Sequence, residues 1–280
     1  MSLSINNNSG LYSGTELRKS QNNIMTSLAK LAAGRRITKA ADDAAGLTVA
    51  DSLSSQARGF GQAMRNAGDA ASIVQIADGA LAQSAGLVSS IRVKALQAAN
   101  ASQSPASRQA LQADIAKSLT QLGEISATTS FNGQKLLAGG FTNKNFQIGN
   151  NQGETVNISI SSTTPEQLGS QTTGRLANID VTTAEGAQKA VSVADKALQQ
   201  IDASRAKLGS QQNQLNSSIA SLATSQINTL SSVSTIRDLD FAKESMNLSQ
   251  MKTLNKIKIF AAVQANSSQK NVIDILQNQT

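Results

Sequence analysis

The chain carries its aliphatic and small side chains in long stripes of helical period, and it has very few aromatic residues. Among 280 residues there is no Trp, one Tyr (Tyr12) and six Phe. Leu, Ile, Val and Ala must therefore fill the core, and side chains of that size suit closely packed helices better than the facing sheets of a sandwich. The sequence predicts a mainly α-helical fold, an elongated antiparallel helical bundle or coiled coil, with a small β-hairpin region in the middle of the chain.

Two stripes define helices in the N-terminal part. The first helix is predicted from about Thr15 to Leu31 and ends at Gly34, and its stripe consists of Leu17, Ile24, Leu28 and Leu31. A much longer helix follows, with the alternating steps of four and three that are typical of a coiled-coil seam. Its predicted seam consists of Ile73, Ala77, Ala80, Ser84, Leu87, Ile91, Ala95 and Ala98. The small residues in this seam predict a close approach by a neighbouring helix.

A third helix should begin at Pro105, because Ser104 followed by proline is typical of a helix start. We expect this helix to fold back on its predecessor. Its stripe consists of Leu111, Ile115, Leu119, Leu122 and Ile125.

The helical period is lost in the middle of the chain. From Phe131 to Ser162 glycine and asparagine recur, as in Asn132-Gly133, and residues 155–160 alternate apolar with polar side chains. These signals predict short strands or hairpins near residues 131–180. The part from Thr163 to Asp180 is predicted to be a polar connection.

Two further helices are predicted in the C-terminal part. Thr182 with Glu185 forms a capping-box pattern before a long helix, whose stripe consists of Leu198, Ile201, Leu208, Leu215, Ile219, Leu222 and Val233. A final amphipathic pattern extends from about Leu239 to Leu276. Because a lone amphipathic helix is marginal in water, we expect the N- and C-terminal helices to pair. The predicted division is terminal helices at 1–40 and 237–280, and an elongated helical domain at 41–236.

The side chains that enzymes use most are missing. The chain has neither His nor Cys, which removes the commonest general base and metal ligand together with thiolates and disulfides. Asp42 and Asp43 are adjacent carboxylates without further ligands at loop spacing, and we interpret them as a helix start or an ion pair. We therefore predict a protein that is not an enzyme, with no catalytic residue, no cofactor and no metal site.

Charge and hydropathy limit the other classes of function. No apolar run is long enough to span a bilayer, and residues 1–8 do not form a cleaved secretory signal. The net charge is +7, with basic residues concentrated at both ends. Nucleic-acid binding would favour clustered Arg with interleaved aromatic residues, which this chain lacks. Solvated or subunit-facing charges are the preferred interpretation, and a basic helical binder of nucleic acid or membrane surfaces is the alternative.

Segments along nearly the whole chain resemble the bacterial flagellins. The N-terminal resemblance is carried by Gly34 to Ile37, Ala41 to Gly46, Arg65 to Asp69 and Asp78 to Leu81. Residues Phe131 to Leu137 resemble the family's turn into its hairpin region. The C-terminal resemblance is carried by Ile236 to Ala242 and Gln264 to Asn266.

This resemblance implies a structural subunit that self-assembles into the flagellar filament for swimming motility. It implies export as an unfolded chain by the flagellar type III route, an extracellular location in the flagellum, and terminal helices that form the inner filament core. The implied partners are further copies of the chain, a flagellar export chaperone, and the cap and hook-junction proteins, with no nucleic acid and no membrane insertion. Since the stretch between Ser162 and Thr182 is too short for an outer domain, the chain resembles a short flagellin. A hook-filament junction protein is the alternative within the same machinery.

Two sets of residues are predicted to contact other proteins. The polymerisation interface is predicted to include Leu28, Leu31, Ile37, Leu248, Met251 and Leu254. The segment that an innate immune receptor recognises in many flagellins corresponds to residues 89–96. Arg92 and the acidic Asp114 match the family there, whereas Ser90 and Lys94 replace an Arg and a Leu. We expect weak or absent receptor activation, because Lys94 would have to be desolvated where a Leu fits.

Overall fold

The computed structural model describes residues 8–277, with side chains described for residues 12–268. Within this range the chain forms five α-helices, which are α1 (Asn8–Ala33), α2 (Ala44–Ala99), α3 (Pro105–Thr128), α4 (Ala184–Arg237) and α5 (Phe241–Gln277). Between α3 and α4 lie the short strands β1 (Ser130–Phe131), β2 (Gln134–Lys135), β3 (Lys144–Gln147), β4 (Thr155–Ile158), β5 (Gly169–Ser170) and β6 (Gly174–Arg175), followed by a 3₁₀ turn at Leu176–Asn178. The predicted mainly α-helical fold with a small hairpin region is confirmed.

The chain divides into two compact units. We call Met1–Ser55 with Asn228–Thr280 the terminal unit, and Gln56–Ile227 the central unit. The terminal unit contains α1, α5, the first residues of α2 and the last residues of α4. The predicted division after residues 40 and 236 separates helices by where they would lie in an assembly of several chains. This division stays a prediction.

The core of the central unit follows a heptad seam on α2. Its buried side chains lie at alternating steps of three and four, and they are Ala67, Ala70, Val74, Ala77, Leu81, Ser84, Val88, Ile91, Ala95 and Ala98. The predicted seam is confirmed in most of its length, but Ala80 and Leu87 are only half-buried. Leu81 and Val88 are buried in place of Ala80 and Leu87. Two adjacent stripes on α2 have the same spacing, and packing against the neighbouring helices decides which of them is buried.

Helix α3 follows α2 as predicted. Ser104 is its N-cap, where the hydroxyl accepts a backbone hydrogen bond, and Pro105 occupies the first turn. Proline is suited to this position because its missing N–H would have no partner within the helix. Ile115 and Leu122 are fully buried and add to the core.

Helix α4 lies antiparallel to α2 in the central unit. Arg205 of α4 donates a hydrogen bond to Asp78 of α2 at 2.9 Å, and Arg92 of α2 pairs with Asp195 of α4. The Asp78 carboxylate raises the pKa of Arg205 through this hydrogen bond. Because residue numbers rise on one helix as they fall on the other, the two contacts establish the antiparallel direction.

The N-terminus of α4 differs from the prediction by one residue. Thr183 rather than Thr182 caps the helix, because its hydroxyl accepts a hydrogen bond from the Gly186 amide at 3.0 Å. Glu185 pairs with Lys189 at 2.8 Å, and this contact lowers the pKa of Glu185. Glu185 therefore stabilises the first turn as an ion-pair partner and not as part of a capping box.

Thr183→Ala should destabilise the central unit by about 1 kcal/mol, the usual effect of removing a hydroxyl N-cap. Thr182→Ala is the matched control, because the amide and the hydroxyl of Thr182 both bond the exposed Asp180 carboxylate and not the amides of the first turn of α4. We expect the control to change the free energy of unfolding by less than about 0.5 kcal/mol. Denaturant unfolding followed by circular dichroism measures both, and equal effects would contradict the assignment of the cap.

The predicted hairpins are present after α3. β1 pairs antiparallel with β2 through Asn132-Gly133, whose φ angles of 46° and 77° are those that a tight two-residue turn requires. β3 pairs antiparallel with β4, and Val156 and Ile158 of β4 are buried. The alternation read from the sequence is thus a strand with one face on the core.

Residues 163–181 do more than connect the hairpins to α4. This stretch contains the β5–β6 pair and buries Leu168, Leu176, Ile179 and Val181. The Gln200 amide of α4 both donates to and accepts from the Gly169 backbone, at 2.9 Å in each direction. Gln112 of α3 holds the backbone carbonyl of residue 179 and the amide of residue 181 in the same way, at 3.1 and 2.9 Å. The prediction of a polar connection missed these buried side chains.

Candidate assembly surface

The terminal helices pair within the terminal unit, as predicted. α1 and α5 meet along a seam of heptad spacing, which we call the terminal seam. Its α1 side consists of Ser13, Leu17, Ser20, Ile24, Ser27 and Leu31, all buried or half-buried. Its α5 side consists of Glu244, Leu248, Met251, Asn255 and Ala262.

Polar side chains cross or border the terminal seam at three levels. The pairs are Ser27 donating to Glu244 at 2.5 Å, Asn255 donating to Ser20 at 3.0 Å, and Lys258 with Glu16 at 3.3 Å. Ser20 and Asn255 are each only 8% exposed. Burying polar groups costs free energy that their hydrogen bonds largely offset, so these levels stabilise the pair less than aliphatic contacts of the same size.

Few aliphatic side chains are buried in the described part of the terminal unit. Ile37 and Leu248 are 2% and 8% exposed, and Ala50 is fully buried. The continuous hydrophobic cluster of the protein lies in the central unit, between Ala67 and Leu215. Since amphipathic helices gain most of their stability from packing, the terminal unit has little to stabilise it without neighbours.

Helix α5 carries large apolar side chains on faces that α1 does not cover. They are Phe241, Met246, Leu254, Ile257, Ile259, Phe260 and Val263, all more than 40% exposed. At 100° per residue, three of them lie on the side away from the terminal seam, and Leu254 lies at its flank, about 90° from the seam. We call these four, Met246, Leu254, Ile257 and Phe260, the outer face of α5. A helix with apolar side chains all round is typical of one that is covered from more than one side.

The structure separates the six predicted interface residues into three groups. Leu28 and Leu254 are 40% and 55% exposed and are free to meet another chain. The other four lie in or near the terminal seam: Leu31 and Met251 are half-buried there, and Ile37 and Leu248 are buried and have almost no area to offer a neighbour. The interface itself stays a prediction.

Sequence reasoning missed Met246, Ile257 and Phe260. The available signal was the spacing of apolar residues on α5, which continues beyond a single stripe. Spacing alone fits both an intramolecular core between the terminal helices and a contact with another chain.

A short antiparallel bridge joins the residues that follow α1 to those that precede α5, and we call this bridge the clasp. Helix α1 ends at Gly34, whose φ of +63° is in the left-handed region that favours glycine. The Arg36 amide donates to the Arg237 carbonyl at 2.8 Å, and the Leu239 amide donates to the Gly34 carbonyl at 3.2 Å. The Arg36 guanidinium also donates to the Ile236 carbonyl at 2.6 Å.

Asp42 and Asp43 organise the start of α2, in agreement with the helix-start interpretation. Asp43 accepts a hydrogen bond from the Gly46 amide at 2.8 Å. Asp42 accepts from the hydroxyl and the amide of Thr38 at 2.7 and 3.0 Å, and these bonds lower the pKa of Asp42. Among the described residues, no group of acidic side chains is arranged to hold a metal ion.

The four receptor-segment positions lie on α2 and α3 of the central unit. Arg92 is paired with Asp195, and the Lys94 ammonium lies 3.8 Å from the Asp114 carboxylate. Ser90 is exposed. Arg92 and Asp114 thus already have ionic partners within the subunit.

Fold and surface together define a class of protein: a helical chain with small hairpins, whose paired terminal helices leave apolar faces uncovered. Over the described range, no helix is both long and apolar enough to cross a membrane. The family model for the bacterial flagellin N-terminal helical region matches residues 5–142, and the model for the C-terminal helical region matches residues 191–276. The chain therefore belongs to the bacterial flagellin family, a family of structural proteins.

Two sequence relatives agree with this assignment. Flagellin A of Helicobacter felis is 49% identical over 149 residues, which are 53% of this chain but only 29% of the relative. This chain therefore spans less than a third of that protein's length. Flagellin E of Vibrio cholerae is 29% identical in an alignment that covers 99% of this chain and 100% of the relative. The crystal structure of Bacillus cereus flagellin superimposes with a TM-score of 0.49 at 25% identity, over 56% of this chain and 88% of that one.

Proposed function

We propose that this chain is a structural subunit that self-assembles into the bacterial flagellar filament and so serves swimming motility. The outer face of α5 is the observation that supports this best, because large apolar side chains are exposed on a helix whose opposite side already packs on α1. Membership of the flagellin family supports the same function. In this proposal residues 1–40 and 237–280 form the inner core of the filament.

A second apolar surface supports repeated contacts between copies. Val93 and Leu96, three positions apart on α2, are 58% and 47% exposed. They lie on the side of α2 away from its buried seam. Contacts between two different surfaces of the same chain generate a helical filament when the rotation between neighbours does not close into a ring.

The proposal includes how the subunit reaches its place. The chain acts outside the cell, in the flagellum, after export as an unfolded chain by the flagellar type III route. Its lack of Cys is compatible with such passage, since no disulfide can lock a folded loop. The proposed partners are further copies of the chain, an export chaperone, and the cap and hook-junction proteins.

Binding to nucleic acid or to a membrane surface is the alternative from another class of function. Several basic side chains of the terminal unit are already engaged within it. Arg36 donates to a backbone carbonyl, Arg237 pairs with Asp51 at 3.2 Å, and Lys258 pairs with Glu16. This engagement favours the filament over a polyanion as the partner.

Seeded polymerisation tests the proposed function. The purified full-length chain, at high concentration and with sheared fibres of the same protein as seeds, should form filaments that sediment and are visible by electron microscopy. A chain that stays monomeric under these conditions would overturn the proposal. Salt-dependent retention on DNA or anionic vesicles would support the alternative.

Leu31→Asp should prevent polymerisation while the central unit stays folded. Leu31 is half-buried in the terminal seam, and a carboxylate there would be desolvated on pairing of the helices. Asn22→Asp, which adds the same charge on an exposed position of α1, is the control and should still polymerise. Circular dichroism and sedimentation measure folding and assembly, and normal filaments from Leu31→Asp would count against this role of the seam.

Purified monomer should activate the innate immune receptor weakly or not at all. Lys94 is a charged group at a position where flagellins commonly carry Leu, so binding there requires its desolvation. Lys94→Leu should raise the potency about tenfold, which corresponds to a gain of about 1.4 kcal/mol. A receptor reporter assay compares the two proteins, and full potency of the unaltered chain would refute the expectation.

A further inference from the structure

The α1 side of the terminal seam does not define a unique register. Serine occupies every seventh position at Ser13, Ser20 and Ser27, and an aliphatic residue does so at Leu17, Ile24 and Leu31. A shift of seven residues therefore superimposes this stripe on itself. Heptad seams are known to need an additional feature that fixes their register.

The α5 side re-forms its central contacts after such a shift. In the structure Asn255 donates to Ser20, which places Met251 level with Ile24. A slip of one heptad toward the N-terminus of α1 would bring Asn255 opposite Ser13 and Met251 opposite Leu17. One polar level and one aliphatic level would both be restored.

The polar interactions that a slip of one heptad would break in the seam are weak. The Lys258–Glu16 pair lies at the surface, where ion pairs contribute little because water screens them. The hydrogen bond between Ser27 and Glu244 would also break, although Ser20 would then approach Glu244 in its place. The seam alone therefore distinguishes poorly between the two registers.

We propose that the clasp, and not the terminal seam, sets the register of the terminal helix pair, with Arg36 as its main positioning residue. Gly34 directly follows α1 and Leu239 lies two positions before α5, so their hydrogen bond fixes the two helices at one end. A slip of seven residues is a movement of about 10 Å along the helix and breaks this bond. The Arg36 side chain adds a bond from a charged donor, which is stronger than a neutral one. This inference concerns a single subunit and holds whether or not the chain polymerises.

The cysteine-free sequence makes disulfide cross-linking a direct test. Ser27→Cys with Glu244→Cys reports the observed register, because these two side chains are in contact. Ser20→Cys with Glu244→Cys reports a slip of one heptad, because Ser20 takes the place of Ser27 beside residue 244 only after that slip. Each pair is introduced into the full-length chain with and without Arg36→Ala. Arg35→Ala is the matched control, because Arg35 takes part in the clasp through its backbone.

With the clasp intact, oxidation should give the 27–244 disulfide and little of the 20–244 disulfide. Arg36→Ala should raise the ratio of slipped to observed cross-link about tenfold, the effect expected from losing a hydrogen bond to a charged group. Leu239→Pro, which removes the amide that donates to Gly34, should shift the ratio in the same direction. Arg35→Ala should leave the ratio unchanged.

An unchanged ratio in Arg36→Ala would overturn the proposal. Loss of both disulfides in that variant would also overturn it, because the clasp would then hold the helices together without selecting a register. Absence of the 27–244 disulfide in the unaltered clasp would contradict the register itself. Mixing isotope-labelled with unlabelled chains distinguishes cross-links within a chain from those between chains. Sedimentation of the same samples is scored separately, so a failure of polymerisation is distinguishable from a failure of register.

Discussion

Leu254→Asp combined with Ile257→Asp should abolish polymerisation and leave a folded monomer. Both side chains lie on the outer face of α5 and are 55% and 58% exposed, so each substitution removes little packing within the subunit. Burial against a neighbouring subunit would contribute about 2 kcal/mol for each aliphatic side chain. Losing about 4 kcal/mol raises the concentration needed for assembly about a thousandfold. A desolvated carboxylate adds a further cost.

Sedimentation of seeded samples over a range of concentrations measures this effect, and circular dichroism reports whether the helices are retained. Ser245→Asp is the matched control, because it adds a carboxylate near the N-terminus of α5, where it suits the helix dipole, and removes no apolar area. The control should assemble at the concentration of the unaltered chain. Assembly of the double variant at that same concentration would show that the outer face of α5 is not an interface.

The positions of helices and hairpins could be predicted where a sequence pattern repeats over many residues or depends on adjacent residues. The helical period of α2 and α4 is repeated over 56 and 54 residues, so chance departures at single positions do not hide it. The start of a helix and the turn of a hairpin depend on adjacent residues, as in Ser104-Pro105 and Asn132-Gly133. Their backbone requirements can be read from the sequence because they involve no distant partner.

The phase of an apolar stripe was harder to predict than its period. On α2, Leu81 and Leu87 satisfy neighbouring stripes of the same spacing, and only packing against α3 and α4 decides which one is buried. The same difficulty affects α5, where Leu248 and Met251 fit both an interface between chains and the contact with α1. The spacing of apolar residues shows that a side chain is buried on packing. It does not show whether the packing partner belongs to the same chain or to another one.

Long-range polar contacts left no signal in the sequence. Gln200 holds the Gly169 backbone across 31 positions, and Arg36 meets the Ile236 carbonyl across 200 positions. Neither contact creates a period or a short motif. The role of residues 163–181 and the existence of the clasp therefore required the structure.

Leu81→Ala should destabilise the central unit by about 3 kcal/mol, whereas Leu87→Ala should cost about 1 kcal/mol. Leu81 is fully buried in the α2 seam, so its truncation leaves a cavity that neighbouring side chains fill only in part. Leu87 packs at the edge of the same core and is half-buried, so water replaces part of the packing that its truncation removes. Both substitutions exchange the same side chains in one helix, which cancels the difference in helix propensity. Denaturant unfolding of the full-length chain measures both free energies, and a larger effect at Leu87 would place the seam where spacing alone predicted it.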